Sequence, residues 1–203
     1  AFGRGLRAIT GGLRRYDRTV EFIERDAEMA GLAEILSAVE GGSGRVVLVS
    51  GEAGIGKTRL VEEFLASSGD RIRIAWGACD DLVTPRALGP FRDIARSLGV
   101  EAAVGEGGAT AETYGILLDG LDSGMRPTVA VVEDAHWADA ASLDMLKYIG
   151  RRVERARLLL LVTFRDDEVG AEHPLRAAFG QIPADVITRL ALPPLSAEAV
   201  AHL

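Results

Sequence analysis

The residues with the clearest chemical signature lie in one run, Gly51-Glu52-Ala53-Gly54-Ile55-Gly56-Lys57-Thr58. Glycines followed by lysine and threonine at this spacing are the pattern of a phosphate-binding loop. The glycines allow backbone N–H groups to turn towards the β- and γ-phosphate oxygens of a nucleotide. The pattern assigns Lys57 to the β- and γ-phosphates and Thr58 to Mg²⁺. The sequence therefore predicts binding of a nucleoside triphosphate.

A pair of carboxylates, Glu133 and Asp134, follows the apolar run 129–132. Phosphoryl transfer needs acids beside the phosphate loop, one for Mg²⁺ or its waters and one to orient and deprotonate the attacking water. We assign Glu133, which has the longer side chain, to the ion and Asp134 to the water. The reverse assignment stays open at this point.

Arg165 follows a second apolar run, 158–163, which also delivers Thr163 to the carboxyl edge of the sheet. Ligands bind at that edge in open α/β sheets. One interpretation is that the Arg165 guanidinium binds a γ-phosphate oxygen. The other is a surface arginine that pairs with Asp166 or Asp167.

Strand and helix patterns alternate along the chain, which is typical of a parallel α/β sheet. Apolar runs predict five strands, at 45–50, 71–77, 129–132, 158–163 and 186–192. Amphipathic stretches predict a helix between successive strands, among them one from Ala140 to Val153, and Thr110 is the expected cap of another. The predicted fold is a three-layer α/β sandwich with a five-stranded parallel sheet.

Composition narrows the class of protein further. The chain has 203 residues, 48% of them hydrophobic, and a formal net charge of −7. This charge argues against a dedicated nucleic-acid surface. No apolar run approaches the ~20 residues that a membrane span needs. The single cysteine, Cys79, excludes an internal disulfide and fits a reducing cytoplasm, and we expect it to be a small buried residue rather than a nucleophile.

These residues resemble the ATPase domain of the STAND class of AAA-type proteins. The most similar versions are found in large LuxR-type bacterial transcriptional regulators and in regulators fused to adenylate cyclases or kinases. The resemblance runs from about Phe22 to the C-terminus. Its carriers are an opening motif (22–28), the phosphate loop with Arg59 and Leu60, the run Glu133-Asp134-Ala135-His136-Trp137-Ala138-Asp139, Thr163-Phe164-Arg165, and Leu192-Pro193-Pro194-Leu195-Ser196. The phosphate loop is shared by many families, whereas its combination with Asp-x-His-Trp-Ala-Asp is far more specific.

The resemblance implies a sheet order of 5-1-4-3-2, with Arg165 between the phosphate loop and the acid pair. It places Arg25, the arginine of the opening motif, and Arg59 near the nucleotide. It also implies that His136 and Trp137 pack beside the acids. The chain departs from the family at Glu24, which stands where the family has glycine, and in the Glu-Asp order of the acid pair, where the family commonly has Asp first.

By the same resemblance we expect a basic lead-in at 1–18, a P-loop NTPase core at 19–192 and the start of a truncated lid subdomain at 193–203. The expected function is a slow ATPase switch that binds ATP or ADP with Mg²⁺ inside a larger cytoplasmic regulator. Its expected partners are the lid, sensor and effector domains of the same protein, with self-association that depends on the nucleotide. The alternatives are a nucleotide sensor without appreciable turnover and a metabolic P-loop kinase or transport ATPase.

Overall fold

The computed structural model describes residues 24–104 and 109–196, and the predicted lead-in (1–18) lies outside the described residues. The helices in these ranges are α1 (Asp26–Glu40), α2 (Lys57–Ser68), α3 (Gly89–Leu98), α4 (Ala111–Asp122), α5 (Ala140–Gly150) and α6 (Pro174–Gly180). The strands are β1 (Arg45–Ser50), β2 (Arg73–Ala78), β3 (Thr128–Glu133), β4 (Leu158–Phe164) and β5 (Ile187–Ala191). None of the described helices combines the length and the apolar character needed to cross a bilayer.

The five strands form one parallel sheet in the order β2-β3-β4-β1-β5. This is the order 5-1-4-3-2 read from the opposite edge, so the predicted fold class and strand order are confirmed. Ser50 of β1 pairs with Phe164 of β4, and Val132 of β3 pairs with Val162 of β4. The carboxyl ends of β1, β4 and β3 therefore lie side by side, which brings the phosphate loop, Arg165 and the acid pair to one edge.

The core has two apolar layers because successive side chains of a strand point to opposite faces. Val47 and Val49 of β1 pack on one face with residues of α1 and α2. Val46 and Leu48 pack on the other face with residues of α3, α4, α5 and α6. All four valine and leucine side chains are buried, as expected for a central parallel strand covered on both faces.

Helix ends agree with the sequence at one site and differ at another. The Thr110 hydroxyl accepts a hydrogen bond from the Thr113 N–H at 3.2 Å, so the predicted cap of α4 is confirmed. The helix predicted to continue to Val153 ends at Gly150. Val153 instead lies in a 3-10 turn and is fully buried, so its apolar spacing continues the buried face after the helix has ended.

A close contact between β2 and α3 leads to the first prediction. A Cβ atom on Gly77 would lie 2.0 Å from the Pro90 carbonyl oxygen. Because backbone must move to make room, we expect Gly77→Ala to lower the free energy of unfolding by about 1–3 kcal/mol. Gly31 in α1 is the matched control, since nothing lies within 4 Å of its Cβ position, and Gly31→Ala should stabilise by ~0.5–1 kcal/mol. Urea denaturation compares the two variants, and a Gly77→Ala protein as stable as wild type would contradict the contact.

Candidate functional site

The phosphate loop connects β1 to α2 through backbone conformations that favour glycine. Gly54 and Gly56 have φ angles of 77° and 98°, and nothing lies within 4 Å of a Cβ atom built on either residue. Gly51 lies against Leu192, whose carbonyl oxygen would be 3.2 Å from such a Cβ. Gly56 is the N-cap of α2 and has no side chain to bond the first amides of that helix. The loop therefore presents the N-terminus of α2 as an anion site.

Lys57 extends into the loop rather than into solvent. The residue is buried, and its Nζ donates hydrogen bonds to the carbonyl oxygens of Gly51 at 2.7 Å and Glu52 at 2.8 Å. Burial lowers the pKa of Lys57, while the negative charge of Asp134 acts in the opposite direction. Glu52 and Ala53 are exposed at the tip of the loop. The cation is thus held where phosphates would lie in a loop of this kind.

Glu133 is held on both carboxylate oxygens. The Thr58 hydroxyl donates a hydrogen bond to Oε1, and Trp76 Nε1 donates to Oε2 at 3.3 Å. The contact with Thr58 joins the first turn of α2 to the end of β3. Trp76 was not among the predicted site residues, and it reaches Glu133 because β2 and β3 are neighbours in the sheet.

Asp134 has a different environment from Glu133. Its φ angle is 52°, and its N–H donates to the Thr163 hydroxyl at 3.0 Å, which links the ends of β3 and β4. Within residues 24–104 and 109–196, no hydrogen bond to the Asp134 carboxylate is formed. Its charge nevertheless acts on Lys57. One acid of the pair is therefore fixed beside Thr58, and the other remains available to a water or ligand.

The second aspartate of the Asp-x-His-Trp-Ala-Asp run has a structural role. Asp139 is the N-cap of α5, and its carboxylate accepts hydrogen bonds from the N–H groups of Ala141 at 2.9 Å and Ser142 at 3.1 Å. Between the two aspartates the chain makes a 3-10 turn (Ala135–Trp137). This turn and cap fix the direction in which the chain leaves the acid pair.

Arg165 lies at the carboxyl end of β4 but does not pair with either of the two acids considered for it. Its guanidinium forms an ion pair with Glu168 at 2.5 Å and lies 5.0 Å from the centre of the Trp137 ring. If Arg165 is a surface ion-pair arginine, its partner is therefore Glu168, and the prediction of Asp166 or Asp167 is wrong. Burial is the main cause that lowers the pKa of Lys57, and the positive charge of Arg165 acts in the same direction.

Two further arginines were predicted near the nucleotide. Arg25 is buried, and its Nη2 donates to the carbonyl oxygens of Pro193 at 2.8 Å and of Ile55 in the phosphate loop at 3.5 Å. Arg59, in the first turn of α2, forms an ion pair with Glu63 at 2.7 Å. Arg25 thus joins the loop to the segment after β5.

Glu24, which replaces the glycine of the family motif, keeps the left-handed backbone that glycine favours, with φ at 57°. Its carboxylate accepts hydrogen bonds from Ser196 N at 2.9 Å and Ser196 Oγ at 2.6 Å. These bonds lower the pKa of Glu24. They also link the turn at Glu24 to the segment after β5.

Cys79 is buried at the end of β2, as predicted. Burial raises the pKa of its thiol to about 12. A thiol with so high a pKa is not a nucleophile near neutral pH, so Cys79 is left out of the site.

The donors at this edge fit a magnesium nucleotide. The space beside Gly54 and Gly56 is open, their left-handed backbone favours glycine, and Lys57 supplies a cation. The Thr58 hydroxyl and the Glu133 carboxylate are adjacent oxygen donors, which Mg²⁺ prefers. Protein sites for Mg²⁺ commonly use one or two such groups together with phosphates and waters.

A parallel sheet of this order, with a glycine-rich phosphate loop between β1 and α2, defines the P-loop NTPase fold. The model of the AAA ATPase domain family matches residues 21–162. The chain belongs to the AAA ATPase domain family.

Solved structures and one curated relative extend this comparison. The fold is similar to the ORC2 protein of Aeropyrum pernix, with a TM-score of 0.65, 18% identity and coverage of 98% of this chain and 54% of that one. It is also similar to Cdc6p of Pyrobaculum aerophilum, with a TM-score of 0.64, 17% identity and coverage of 93% and 50%. The uncharacterized protein R02095 of Rhizobium meliloti (strain 1021) is 27% identical over 84% of this chain, which spans 21% of that relative.

Proposed function

We propose that this chain is the ATP-binding and ATP-hydrolysing core of a larger signalling or transcriptional regulator of the STAND class, such as a LuxR-type protein. The observation that carries the proposal is the contact of Thr58 with Glu133 beside the inward-facing Lys57. It brings together the two groups that a P-loop site uses for Mg²⁺, and Lys57, which precedes Thr58, is the cation that such a site uses for phosphate.

The proposed roles follow from the contacts of each side chain. Lys57 and the amides of the loop bind the β- and γ-phosphates, and Thr58 and Glu133 hold Mg²⁺, which when bound neutralises phosphate charge. Asp134 orients the attacking water and accepts its proton. Arg165 binds a γ-phosphate oxygen, so it distinguishes ATP from ADP.

Further nucleotide contacts are proposed for Arg25 and Arg59. Arg25 supports the loop through Ile55 O, a position from which it also faces the segment after β5. Arg59 follows Thr58 in the first turn of α2, the part of the helix closest to bound phosphate.

The regulatory part of the proposal rests on family resemblance and on the length of the curated relative. The chain covers about a fifth of its curated relative, so most of that relative lies in other segments. We propose a core at 19–192 and the start of a lid subdomain at 193–203, with the link between Glu24 and Ser196 joining them. Binding of ATP or ADP would then shift the conformational equilibrium of a cytoplasmic regulator and change its self-association. The net charge of −7 supports the further proposal that this segment does not contact nucleic acid.

Replacement of the loop lysine tests nucleotide binding. Lys57→Ala leaves the phosphates less neutralised, so the affinities for Mg-ATP and Mg-ADP should each fall at least ~10-fold, or about 1.4 kcal/mol. Lys147 is the only other lysine of the chain and pairs with Asp144 on α5, so Lys147→Ala is the matched control. Titration calorimetry should show normal binding by the control, and equal affinity in Lys57→Ala and wild type would refute the site.

Hydrolysis separates this proposal from a nucleotide sensor without appreciable turnover. A single-turnover experiment with protein in excess over ATP should release phosphate at a rate that falls in Lys57→Ala. Binding of ATP without any phosphate release would favour the sensor.

A further inference from the structure

Four side chains at the ends of β3 and β4 form a closed ring of contacts, called here the Glu168 cluster: His136, Trp137, Arg165 and Glu168. Arg165 pairs with one oxygen of Glu168 at 2.5 Å, and His136 Nε2 lies 3.6 Å from the other. The rings of His136 and Trp137 are 4.4 Å apart between centres, and Arg165 lies over Trp137. Glu168 therefore stands between a guanidinium and an imidazole.

His136 is the unsatisfied member of the Glu168 cluster. Its side chain is 1% exposed, and neither ring nitrogen has a hydrogen-bond partner in the described part of the chain. A distance of 3.6 Å to Glu168 is too long for such a bond. Burial lowers the pKa of His136, which favours the neutral ring, a form with one N–H to donate. A small movement of the Glu168 carboxylate towards Nε2 would satisfy it.

The ion pair between Arg165 and Glu168 is easily exchanged. Both side chains are partly exposed, at 28% and 37%. Ion pairs in contact with water contribute little to the free energy of folding, so little is lost when such a pair separates. A γ-phosphate carries more negative charge than a carboxylate and accepts the same bidentate, charge-assisted hydrogen bonds from a guanidinium. Arg165 directly follows β4, which is paired with β1 on one side and β3 on the other, so its guanidinium lies at the same sheet edge as the phosphate loop.

We infer that Glu168 is a specificity-determining residue that competes with the γ-phosphate of ATP for Arg165. When ATP binds, Arg165 turns to the γ-phosphate, and the Glu168 carboxylate accepts the hydrogen bond of His136 instead. ADP has no γ-phosphate and leaves the pair in place. Glu168 thereby lowers the preference of the site for ATP over ADP. The inference rests on the proposed function, since it requires a nucleotide in the phosphate loop and Arg165 beside its third phosphate.

Glu168→Gln tests this competition because it keeps the shape of the side chain and removes its charge. The ratio of the ADP to the ATP dissociation constant, measured by calorimetry at fixed Mg²⁺, should rise about two- to fivefold. Asp167→Asn is the matched control, because Asp167 acts on Lys57 and Arg165 through its charge but forms no ion pair with Arg165. That variant should leave the ratio unchanged.

A third measurement links the effect to Arg165. In an Arg165→Ala background, Glu168→Gln should no longer change the ratio, because the contested group is absent. An unchanged ratio in the Glu168→Gln single variant, or an equal change in Asp167→Asn, would overturn the inference. Failure of the wild-type chain to bind either nucleotide would instead refute the proposed function. The ratio is measured only on protein that binds both nucleotides, so the two failures are distinct.

Discussion

Asp134→Asn should bind Mg-ATP almost as wild type does and hydrolyse it about a hundredfold more slowly, or slower still. An amide cannot accept the proton of the attacking water, whereas the phosphate loop and the contact of Thr58 with Glu133 remain intact. The backbone bond from Asp134 N–H to Thr163 does not involve the side chain, so the turn should persist. Single-turnover phosphate release measures the rate, and calorimetry measures binding.

Two further variants make this result specific. Glu133→Gln should make ATP binding depend less on Mg²⁺, because it weakens a ligand of the ion rather than the base. Asp139→Asn removes the same charge five positions further along and still caps α5, since asparagine is an equally good N-cap, so its turnover should be near normal. A loss of Mg²⁺ dependence in Asp134→Asn and of turnover alone in Glu133→Gln would show that the two roles are reversed.

The fold class and the phosphate loop could be predicted from local sequence patterns. β1, the loop and the start of α2 are consecutive, so strand, glycines and lysine could be recognised together. The strand order depends on which strands pair across the chain, and no single segment encodes it. It followed from family resemblance, and the sheet confirms it. The roles of the loop residues, of Glu133 and of Asp134 stay predictions.

Contacts between neighbouring strands were the part that the sequence could not show. Trp76 reaches Glu133 because Ala78 of β2 is paired in register with Glu133 of β3. The alternation of Ile72, Ile74 and Trp76 indicates one face of a strand but not the side chain that this face meets. The indole N–H of Trp76 near the end of β2 was the one sequence signal for this contact. It points to Glu133 only once β3 is known to be the neighbouring strand.

The interpretation of Arg165 as a surface ion-pair arginine named the wrong acids for a local reason. Asp166 and Asp167 are its nearest acids along the chain, and sequence distance favoured them. The chain turns directly after β4, with Val169 N–H donating to Asp166 O at 3.3 Å, and this turn accompanies the pairing of Glu168 with Arg165. A turn brings the Cα atom of the residue three positions on to within about 7 Å, so the side chains of these two residues can meet.

Arg165→Ala should weaken ATP binding about tenfold or more relative to ADP binding. Only the triphosphate would lose a charge-assisted bond, because ADP has no group at the γ position. The ratio of the two dissociation constants is therefore more informative than either constant alone. It should be measured in this chain at fixed Mg²⁺, so that any contribution from further subdomains is the same for every variant.

A matched surface arginine separates this role from a merely structural one. Arg96 forms an ion pair with Asp93 at the same spacing of three residues, on an exposed part of α3. If Arg165 were only an ion-pair partner of Glu168, both Arg165→Ala and Arg96→Ala would leave the ratio of ATP to ADP affinity as it is in wild type. A γ-phosphate contact instead predicts a change in Arg165→Ala alone. An unchanged ratio in both variants would remove Arg165 from the site and, with it, the basis for competition by Glu168.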